Sequence, residues 1–309
     1  MKIGIAGAGT MSSSMAMIFM ENGYDTLMLV RNDKSIARAT KIITDAVNNK
    51  LSQGKLSAED GDRILASMQF TTEMTDMADR DIIIESIIED LPTKQAYWKE
   101  LSQVVSEACI LATNTSGLSI NKICEGVKGK NRFLGMHWFN PPHLVPLIEI
   151  ICGDETDEES AEAVRQLALS LGKKPVICQK DALGFIANRL QYAVLREAME
   201  IVERGIATPE AVDDAMKYGL GFRYALLGPF EVTDLGGVDV FYKICKYLFE
   251  DLSDSKVPQD MITDCYENGR LGVKSGAGFY DYSDGRDKEV VKRRDELFVK
   301  MYETFYENN

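Results

Sequence analysis

The sequence has little histidine, no paired-cysteine motif and no long hydrophobic run. Only two of its 309 residues are histidine, His137 and His143, so a reaction that needs an imidazole has two candidates. Its six cysteines include no C-x-x-C pair, which argues against a zinc or redox site and favours buried free thiols in a reducing compartment. No segment approaches the roughly 18 apolar residues of a membrane-spanning helix, and no leader pattern precedes the first strand-like residues. These absences predict a cytoplasmic protein without a metal site.

Basic residues are fewer than acidic ones. There are 35 lysines and arginines against 48 aspartates and glutamates, which gives a net charge of -13. Binding to nucleic acids or to membrane surfaces depends on a basic field, so we expect neither partner. A small anionic ligand would need a locally positive pocket. The chain is 45% hydrophobic, and its length favours two domains rather than one.

Strand-like and helical patterns alternate over residues 2–116. Such alternation is typical of a parallel sheet that is covered by helices on both faces. Two further strand-like runs, 132–139 and 144–151, flank the segment NPPH, and a last run spans 174–179. These runs extend the predicted sheet beyond the first alternating block.

The pattern changes near residue 180. No strand-like run follows Gly184, and apolar residues recur there at helical spacing. We therefore predict the α/β fold class. A Rossmann-type, doubly wound sheet forms residues 1–182, and an all-helical C-terminal domain forms residues 183–309.

A glycine-rich turn, Gly7-Ala8-Gly9-Thr10-Met11-Ser12, lies between the first strand and the first helix. In the fingerprint G-x-G-x-x-G, the first glycine makes a tight turn and the second lets a pyrophosphate approach the backbone. The third glycine allows close packing of helix and strand, and the helix N-terminus faces the phosphates. Ser12 replaces the third glycine, so we expect strained packing there. The context predicts dinucleotide binding through Gly7 and Gly9, with a purely structural turn as the alternative.

The end of the second strand carries no carboxylate. NAD enzymes place an Asp or Glu there on the ribose hydroxyls, whereas this strand ends Val30-Arg31-Asn32. Asp33 comes later and is equally suited to cap the next helix. Arg31 could instead hold a 2′-phosphate through charge-assisted hydrogen bonds. We hypothesise a preference for NADP(H), with NAD(H) and a merely solvated Arg31 as the alternative.

The two strand-like runs around NPPH predict an antiparallel hairpin. If the turn is centred near His143, residues whose numbers sum to 286 lie opposite each other, as do His137 and Glu149. Directly opposed Cβ atoms are about 4.5–5.5 Å apart, close enough for the carboxylate to orient the imidazole for proton transfer. The alternative is a structural pair. His143 lies in the turn itself, where we expect a structural residue.

With these residues in place, the chain resembles the L-3-hydroxyacyl-CoA dehydrogenase family, of the 3-hydroxybutyryl-CoA dehydrogenase type, over essentially its whole length. Seven ordered segments carry the resemblance: GAGTM (7–11), IIIESIIEDLPTK (82–94), TNTSGLSI (113–120), GMHWFNPP (135–142), LIEI (147–150), DALGFIANRL (181–190) and KSGAGFYDY (274–282).

The resemblance implies a catalytic set and a cofactor site. His137 would remove the 3-hydroxyl proton during oxidation and Glu149 would orient it, while Ser116 and Asn188 would hydrogen-bond the substrate oxygen. The helical domain would form a wall of the cleft and much of a homodimer interface. The implied cofactor contacts are Gly7, Gly9, Thr10, Met11, Glu89, Lys94, Asn140 and Lys274.

Other residues depart from the family pattern and divide the expectations about substrate. Pro146 stands where acyl-CoA members usually carry lysine, and GLGFRYALLGPFE (219–231) resembles relatives that oxidise free carboxylate-bearing alcohols: the gulonate, carnitine and hydroxymethyl-pyridine carboxylate dehydrogenases. Arg223 in that segment could bind a substrate carboxylate bidentately, or it could be a rim residue. Lys55 lies where acyl-CoA members use basic residues for the CoA phosphates, or it is simply solvated.

We therefore expect an NAD(P)-dependent oxidoreductase acting on a short 3-hydroxyacyl-CoA such as 3-hydroxybutyryl-CoA. The second hypothesis is a dehydrogenase of a free hydroxy acid that Arg223 binds. A third is a cofactor-binding, catalytically silent structural relative, against which the presence of His137, Glu149, Ser116 and Asn188 argues.

Overall fold

The strands of the protein lie in the first part of the chain. The computed structural model describes residues 1–306. Within them, eight strands form one sheet. These are β1 (Lys2–Ala6), β2 (Asp25–Leu29), β3 (Gln69–Thr71), β4 (Ile82–Glu85), β5 (Ile110–Thr113), β6 (Phe133–Trp138), β7 (Leu147–Cys152) and β8 (Lys174–Cys178).

Helices connect these strands and make up most of the later residues. Short 3-10 turns and one π-helical turn, Met216–Leu220, lie between some of them. The α-helices are α1 (Thr10–Glu21), α2 (Asp33–Ser52), α3 (Ala58–Ala66), α4 (Leu91–Val104), α5 (Ile120–Ile123), α6 (Glu158–Ser170), α7 (Ala187–Glu203), α8 (Pro209–Ala215), α9 (Gly221–Tyr224), α10 (Pro229–Gly236), α11 (Val238–Leu248), α12 (Asp260–Glu267) and α13 (Arg286–Phe305).

The strand order is β3-β2-β1-β4-β5-β6-β7-β8. Strands β1 to β6 pair in parallel, while β7 runs antiparallel to β6 and β8 runs parallel to β7. The order reverses between β1 and β4, and open α/β sheets bind ligands at such a switch point. The predicted α/β class, with a doubly wound sheet followed by helices, is confirmed. Strand β3 was not predicted, because three residues are too few to show a strand period.

Side chains from successive residues of each central strand enter opposite faces of the sheet. Ile82 and Ile84 belong to a core with Phe19 of α1, whereas Ile83 belongs to a second core with Trp98 of α4. All five are almost completely buried. Burying such a side chain contributes about 1.5–3 kcal/mol to the stability of the fold. Because helices cover both faces of the sheet, successive residues of a central strand are all buried, which explains why these strands are almost continuously apolar.

Polar caps begin several of the covering helices. Asn32, Asp90 and Asp157 precede α2, α4 and α6, and each accepts a hydrogen bond at 2.8–3.0 Å from the backbone N–H three residues on. Such a cap typically contributes about 1 kcal/mol. The cap of α2 is Asn32 rather than Asp33, which is the first helical residue.

The chain packs as two compact units. The first comprises Met1–Asn188 together with the described residues from Asp295 on, and the second comprises Arg189–Arg294. The last part of α13 therefore packs with the first unit. The division at residues 182 and 183 that the sequence pattern indicates stays a prediction.

The second unit is helical, with isolated bridges near Gly272 but no strand among residues 189–294. Gln259 donates to the carbonyl of Arg196 at 2.7 Å, which ties α12 to α7. Helices α8, α10 and α11 bury no residue fully. This unit therefore presents much apolar surface.

Four of the six cysteines are buried, and Cys152 and Cys245 are partly buried. All six cysteines are free, and burial raises the pKa of Cys109 to about 12, so this thiol is unreactive. Among residues 1–306, no helix is both long and apolar enough to cross a bilayer, and no His, Cys, Asp and Glu side chains cluster as metal ligands.

Candidate functional site

The predicted hairpin register is confirmed. His137 of β6 pairs directly with Glu149 of β7, and the imidazole Nδ1 lies 2.8 Å from Glu149 Oε2. Both side chains are buried, with His137 3% and Glu149 0% exposed. Because an ionised carboxylate can only accept, Nδ1 carries the proton and Nε2 is the nitrogen left to exchange one.

The second oxygen of Glu149 has its own partners. Oε1 accepts from the backbone N–H groups of Ile186 and Ala187, at 2.9 and 2.8 Å, where α7 begins. Burial alone would raise the pKa of Glu149, but the hydrogen bonds from His137, Ala187 and Ile186 together hold this pKa below its ordinary value. Glu149 therefore stays ionised and keeps accepting from the imidazole.

Ser116 and Asn188 come together. The Asn188 side-chain amide donates to the backbone carbonyl of Ser116 at 2.8 Å. Glu89 accepts from the Ser116 N–H at 2.9 Å and from the Thr115 hydroxyl. Because Ser116 is exposed and its backbone is held from two sides, its hydroxyl is free to meet a ligand. The ligand contacts predicted for these residues stay predictions.

A buried ion pair supports this loop. Glu85 at the end of β4 and Lys94 on α4 are both 0% exposed and hydrogen-bonded to each other. Trp98 and Thr113 donate to Glu85 at 3.0 and 2.7 Å. Lys94 also lies 3.5 Å from Glu89. Since a buried unpaired charge is strongly destabilising, Glu85 and Lys94 stay paired. Lys94 in turn holds Glu89 in place. The Lys94 ammonium faces these two glutamates. The cofactor contact predicted for Lys94 stays a prediction.

The β1–α1 turn has the shape that a dinucleotide needs. Gly7 has φ +120°, and a Cβ there would lie 2.5 Å from the carbonyl oxygen of Ser86. A Cβ on Gly9 would meet nothing within 4 Å, so the backbone is open to a pyrophosphate there. Ser12 is fully buried, and its hydroxyl donates to the same Ser86 carbonyl at 3.2 Å. The buried Ser12 hydroxyl thus has a hydrogen-bond partner at this close approach, and the strain expected there stays a prediction.

The other predicted cofactor contacts of the first unit lie at loop tips and helix starts. Thr10 is exposed and Met11 half-buried on the first turn of α1, which contains no acidic residue. Arg31 is exposed beyond β2, and Asn32 caps α2. Asn140 is exposed in the loop after β6. An N-terminus without carboxylates fits the phosphates of a dinucleotide.

Lys55, predicted to bind CoA phosphates, has a carboxylate partner. Its ammonium lies 2.9 Å from Glu303 Oε1 near the end of α13. In the second unit, Arg223 is an exposed residue of α9, directly after the π-helical turn. Lys274 is exposed in a 3-10 turn, Val273–Ser275. The ligand contacts proposed for these three basic residues stay predictions.

Sequence reasoning missed Lys173 and Phe185. Lys173 is 6% exposed, and its ammonium donates to the carbonyls of Pro142 and Val145 at 2.6 and 3.0 Å. It also lies 5.7 Å from the centre of the Trp138 ring. It therefore holds the loop between β6 and β7. No motif signals this role, because a lysine in a polar turn reads as solvated.

Together, a dinucleotide-shaped turn at the switch point of the sheet and a buried carboxylate–imidazole pair define a nicotinamide-linked dehydrogenase. Comparison with known families agrees. The NAD binding domain of 3-hydroxyacyl-CoA dehydrogenase matches residues 2–182, and the C-terminal domain matches residues 184–282. The chain belongs to the 3-hydroxyacyl-CoA dehydrogenase family.

Similar proteins carry two kinds of name. The chain is 34% identical over 284 residues to a 3-hydroxybutyryl-CoA dehydrogenase of Mycobacterium tuberculosis, covering 91% of this chain and 98% of that one. It is 32% identical over 302 residues to the 5-formyl-3-hydroxy-2-methylpyridine 4-carboxylate 5-dehydrogenase of Mesorhizobium japonicum, covering 97% and 96%. A crystal structure of a 5-dehydrogenase of this pyridine carboxylic acid, an NAD+ dependent dismutase, superposes with a TM-score of 0.86 at 31% identity, covering 97% and 96%.

Proposed function

We propose that this protein catalyses the reversible dehydrogenation of the 3-hydroxyl group of a short-chain 3-hydroxyacyl-CoA such as 3-hydroxybutyryl-CoA. The observation that carries the proposal is the buried His137–Glu149 pair, at 2.8 Å. Relatives named as 3-hydroxybutyryl-CoA dehydrogenases, at about one-third identity over nearly their whole length, support this substrate class.

A bound nicotinamide supplies the hydride acceptor. In the oxidising direction, His137 Nε2 accepts the proton of the substrate hydroxyl. The hydride leaves the carbon that bears this hydroxyl, and the C–O single bond becomes a carbonyl. Glu149 remains ionised and stabilises the imidazolium. Ser116 and Asn188 hold the substrate oxygen, and in the reducing direction His137 returns the proton.

For the cofactor, we propose a preference for NADP(H), with NAD(H) as the alternative. Val30 and the exposed Arg31 directly follow β2, where a carboxylate would bind the ribose hydroxyls of NAD. Measuring kcat/KM with NADPH and NADH tests this. Arg31→Ala should abolish a preference for NADPH, and a strong NADH preference in the wild type would overturn the proposal.

A second candidate is a dehydrogenase of a free hydroxy acid. Two observations favour it: the pyridine carboxylate relative matches 97% of the chain, and Lys55 is already paired with Glu303. In this case Arg223 would bind the substrate carboxylate bidentately.

A substrate panel separates the candidates. The protein is incubated with acetoacetyl-CoA, free acetoacetate or other keto acids, each with NADPH or NADH, and oxidation of the reduced nicotinamide is followed by absorbance. Turnover of the thioester supports the first candidate. Turnover of free acids, with a raised KM in Arg223→Met, supports the second. Cofactor binding without turnover of any substrate would overturn both and identify a catalytically silent relative.

We also propose that the protein is a homodimer whose small-molecule ligands are its cofactor and substrate. The support is the apolar surface of the second unit. Phe230 and Leu235 of α10 are 85% and 75% exposed, and Val238 and Tyr242 of α11 are 59% and 65% exposed. A second copy of the chain would remove this surface from water.

A further inference from the structure

Phe185 has a backbone conformation that non-glycine residues rarely adopt. Its φ is +52°, directly after Gly184 with φ +76°. A bulky residue in the left-handed region is strained, and such residues persist when their surroundings demand the conformation. Phe185 is also 1% exposed. Both the backbone and the ring of this residue therefore call for an explanation.

The left-handed turn aims two backbone donors at Glu149. The Phe185 N–H donates to the Ala182 carbonyl at 2.9 Å, which closes the turn. The chain then leaves with the N–H groups of Ile186 and Ala187 pointing at Glu149 Oε1. These two bonds fix the carboxylate so that Oε2 faces His137. An extended or helical Phe185 would direct the next two N–H groups elsewhere.

The ring of Phe185 confines the imidazole. Its centroid lies 5.7 Å from that of His137 at an interplanar angle of 61°, while Phe139 lies at 4.4 Å and 50°. Among the charged side chains of residues 1–306, Glu149 is the one within hydrogen-bond distance of His137. The imidazole is thus held by one carboxylate and two aromatic rings, so its rotation is restricted.

We infer that Phe185 is a positioning residue for the acid–base pair: its strained backbone anchors Glu149 and its ring holds His137. The inference rests on the proposed function for its effect on turnover. Its structural content, the protonation pattern of His137 in the absence of substrate, does not depend on that function.

The scarcity of histidine makes a direct test possible. With selectively ¹⁵N-labelled histidine, the spectrum contains two imidazoles, and His143, whose side chain is exposed, is an internal control. At a pH where the imidazole is neutral, His137 of the wild type should carry its proton on Nδ1 alone, because Nδ1 faces Glu149 Oε2. In Phe185→Ala, it should become a mixture of tautomers, while the His143 signals stay unchanged.

Two further variants separate the backbone from the ring. Phe185→Gly retains the left-handed turn without strain but lacks the ring, so it should keep more of the Nδ1-protonated tautomer than Phe185→Ala does. Leu183→Ala, at a 75% exposed side chain in the same segment, should match the wild type. For turnover, we expect kcat of Phe185→Ala to fall roughly 10- to 100-fold, as for a misplaced reacting group, with cofactor binding retained.

The outcomes distinguish this inference from the proposed function. A folded Phe185→Ala or Phe185→Gly protein, judged by circular dichroism, whose His137 tautomer equals that of the wild type would overturn the inference whatever its activity. A wild type that shows the single tautomer but turns over no substrate would instead overturn the proposed function. If Phe185→Ala does not fold, the comparison of Phe185→Gly with the wild type decides.

Discussion

At the residue scale, Glu149 joins two parts of the first unit. One of its oxygens accepts from His137, and the other accepts from the N–H groups that begin α7. The hydrogen bonds to charged groups are the stronger kind, worth about 1.5–3 kcal/mol each. Because both oxygens of Glu149 are hydrogen-bonded, the carboxylate cannot rotate. The imidazole that donates to it is therefore held in one orientation.

Replacing His137 should remove the proton acceptor and little else. We expect His137→Gln to lower kcat roughly 10²–10⁴-fold, the usual range for a general acid–base residue, and to leave cofactor affinity near that of the wild type. Steady-state kinetics and a fluorescence titration with the reduced cofactor measure the two quantities. His143→Gln is the matched control. Near-normal activity in His137→Gln would show that the proposed role is wrong.

Lys173 is a second residue whose environment has a measurable consequence. Burial, with a smaller contribution from Lys50, lowers the pKa of Lys173 to about 8, whereas an unfolded lysine titrates near 10.4. At a pH between these two pKa values, the lysine of the unfolded chain binds more protons than that of the folded chain. This lysine therefore makes the free energy of unfolding rise with pH. Below pH 8 it costs the fold about 3 kcal/mol relative to high pH.

Urea titrations at several pH values between 7 and 10 check this expectation. Lys173→Met should reduce the rise in unfolding free energy over that range, because the group that loses its proton is gone. Lys180→Met, at an exposed lysine two residues beyond β8, should keep the wild-type slope. Equal slopes in all three proteins would contradict the assignment.

At the element scale, the turn between β1 and α1 contains two glycines with different requirements. Gly7 is needed by the fold, since its φ of +120° and the Ser86 carbonyl leave no place for a side chain. Gly9 has an ordinary backbone conformation and open space beside it. Packing therefore does not require a glycine here, and this open backbone is where we propose that the cofactor approaches.

Alanine substitutions should therefore act differently at the two positions. Gly9→Ala should change stability by less than about 0.5 kcal/mol, as at an open surface position, but raise the Kd for the cofactor about tenfold or more by blocking close approach. Gly7→Ala should destabilise the protein by more than about 1 kcal/mol. Thermal unfolding and cofactor titration measure both effects. Unchanged cofactor affinity in Gly9→Ala would argue against a phosphate at this turn.

At the scale of the whole molecule, the net charge and the exposed apolar surface bear on what the protein binds. The net charge of -13 opposes anionic ligands, so their binding must depend on local features such as the N-terminus of α1 and Arg31. In the second unit, α10 and α11 bury no residue fully and carry exposed apolar side chains, among them Phe230 and Tyr242. Large exposed apolar patches mark association sites, and we propose that these helices form such a patch.

Sedimentation should therefore show a particle of twice the mass of one chain. Val238 and Tyr242, four residues apart on α11, lie on the same helix face, and Val238→Glu with Tyr242→Glu should shift the protein toward the monomer. Leu169→Glu makes the same kind of change at a 41% exposed apolar residue of the first unit and should leave the dimer intact. A wild type that sediments as a monomer would overturn the homodimer.

The sequence by itself determined the alternation of strands and helices, the glycine turn and the pairing of His137 with Glu149. These features depend on periodicity and local turn chemistry, which a linear pattern records, and a hairpin register needs one centre and the two-residue period. Tertiary structure alone decided what Glu85, Lys94, Lys173 and Phe185 do. Their partners are distant in sequence or are backbone groups that a turn orients. The type of a residue does not predict which carbonyl group or ring it will contact. The same reason explains Lys55, whose partner Glu303 lies on the last helix and becomes a neighbour only when α13 packs with the first unit.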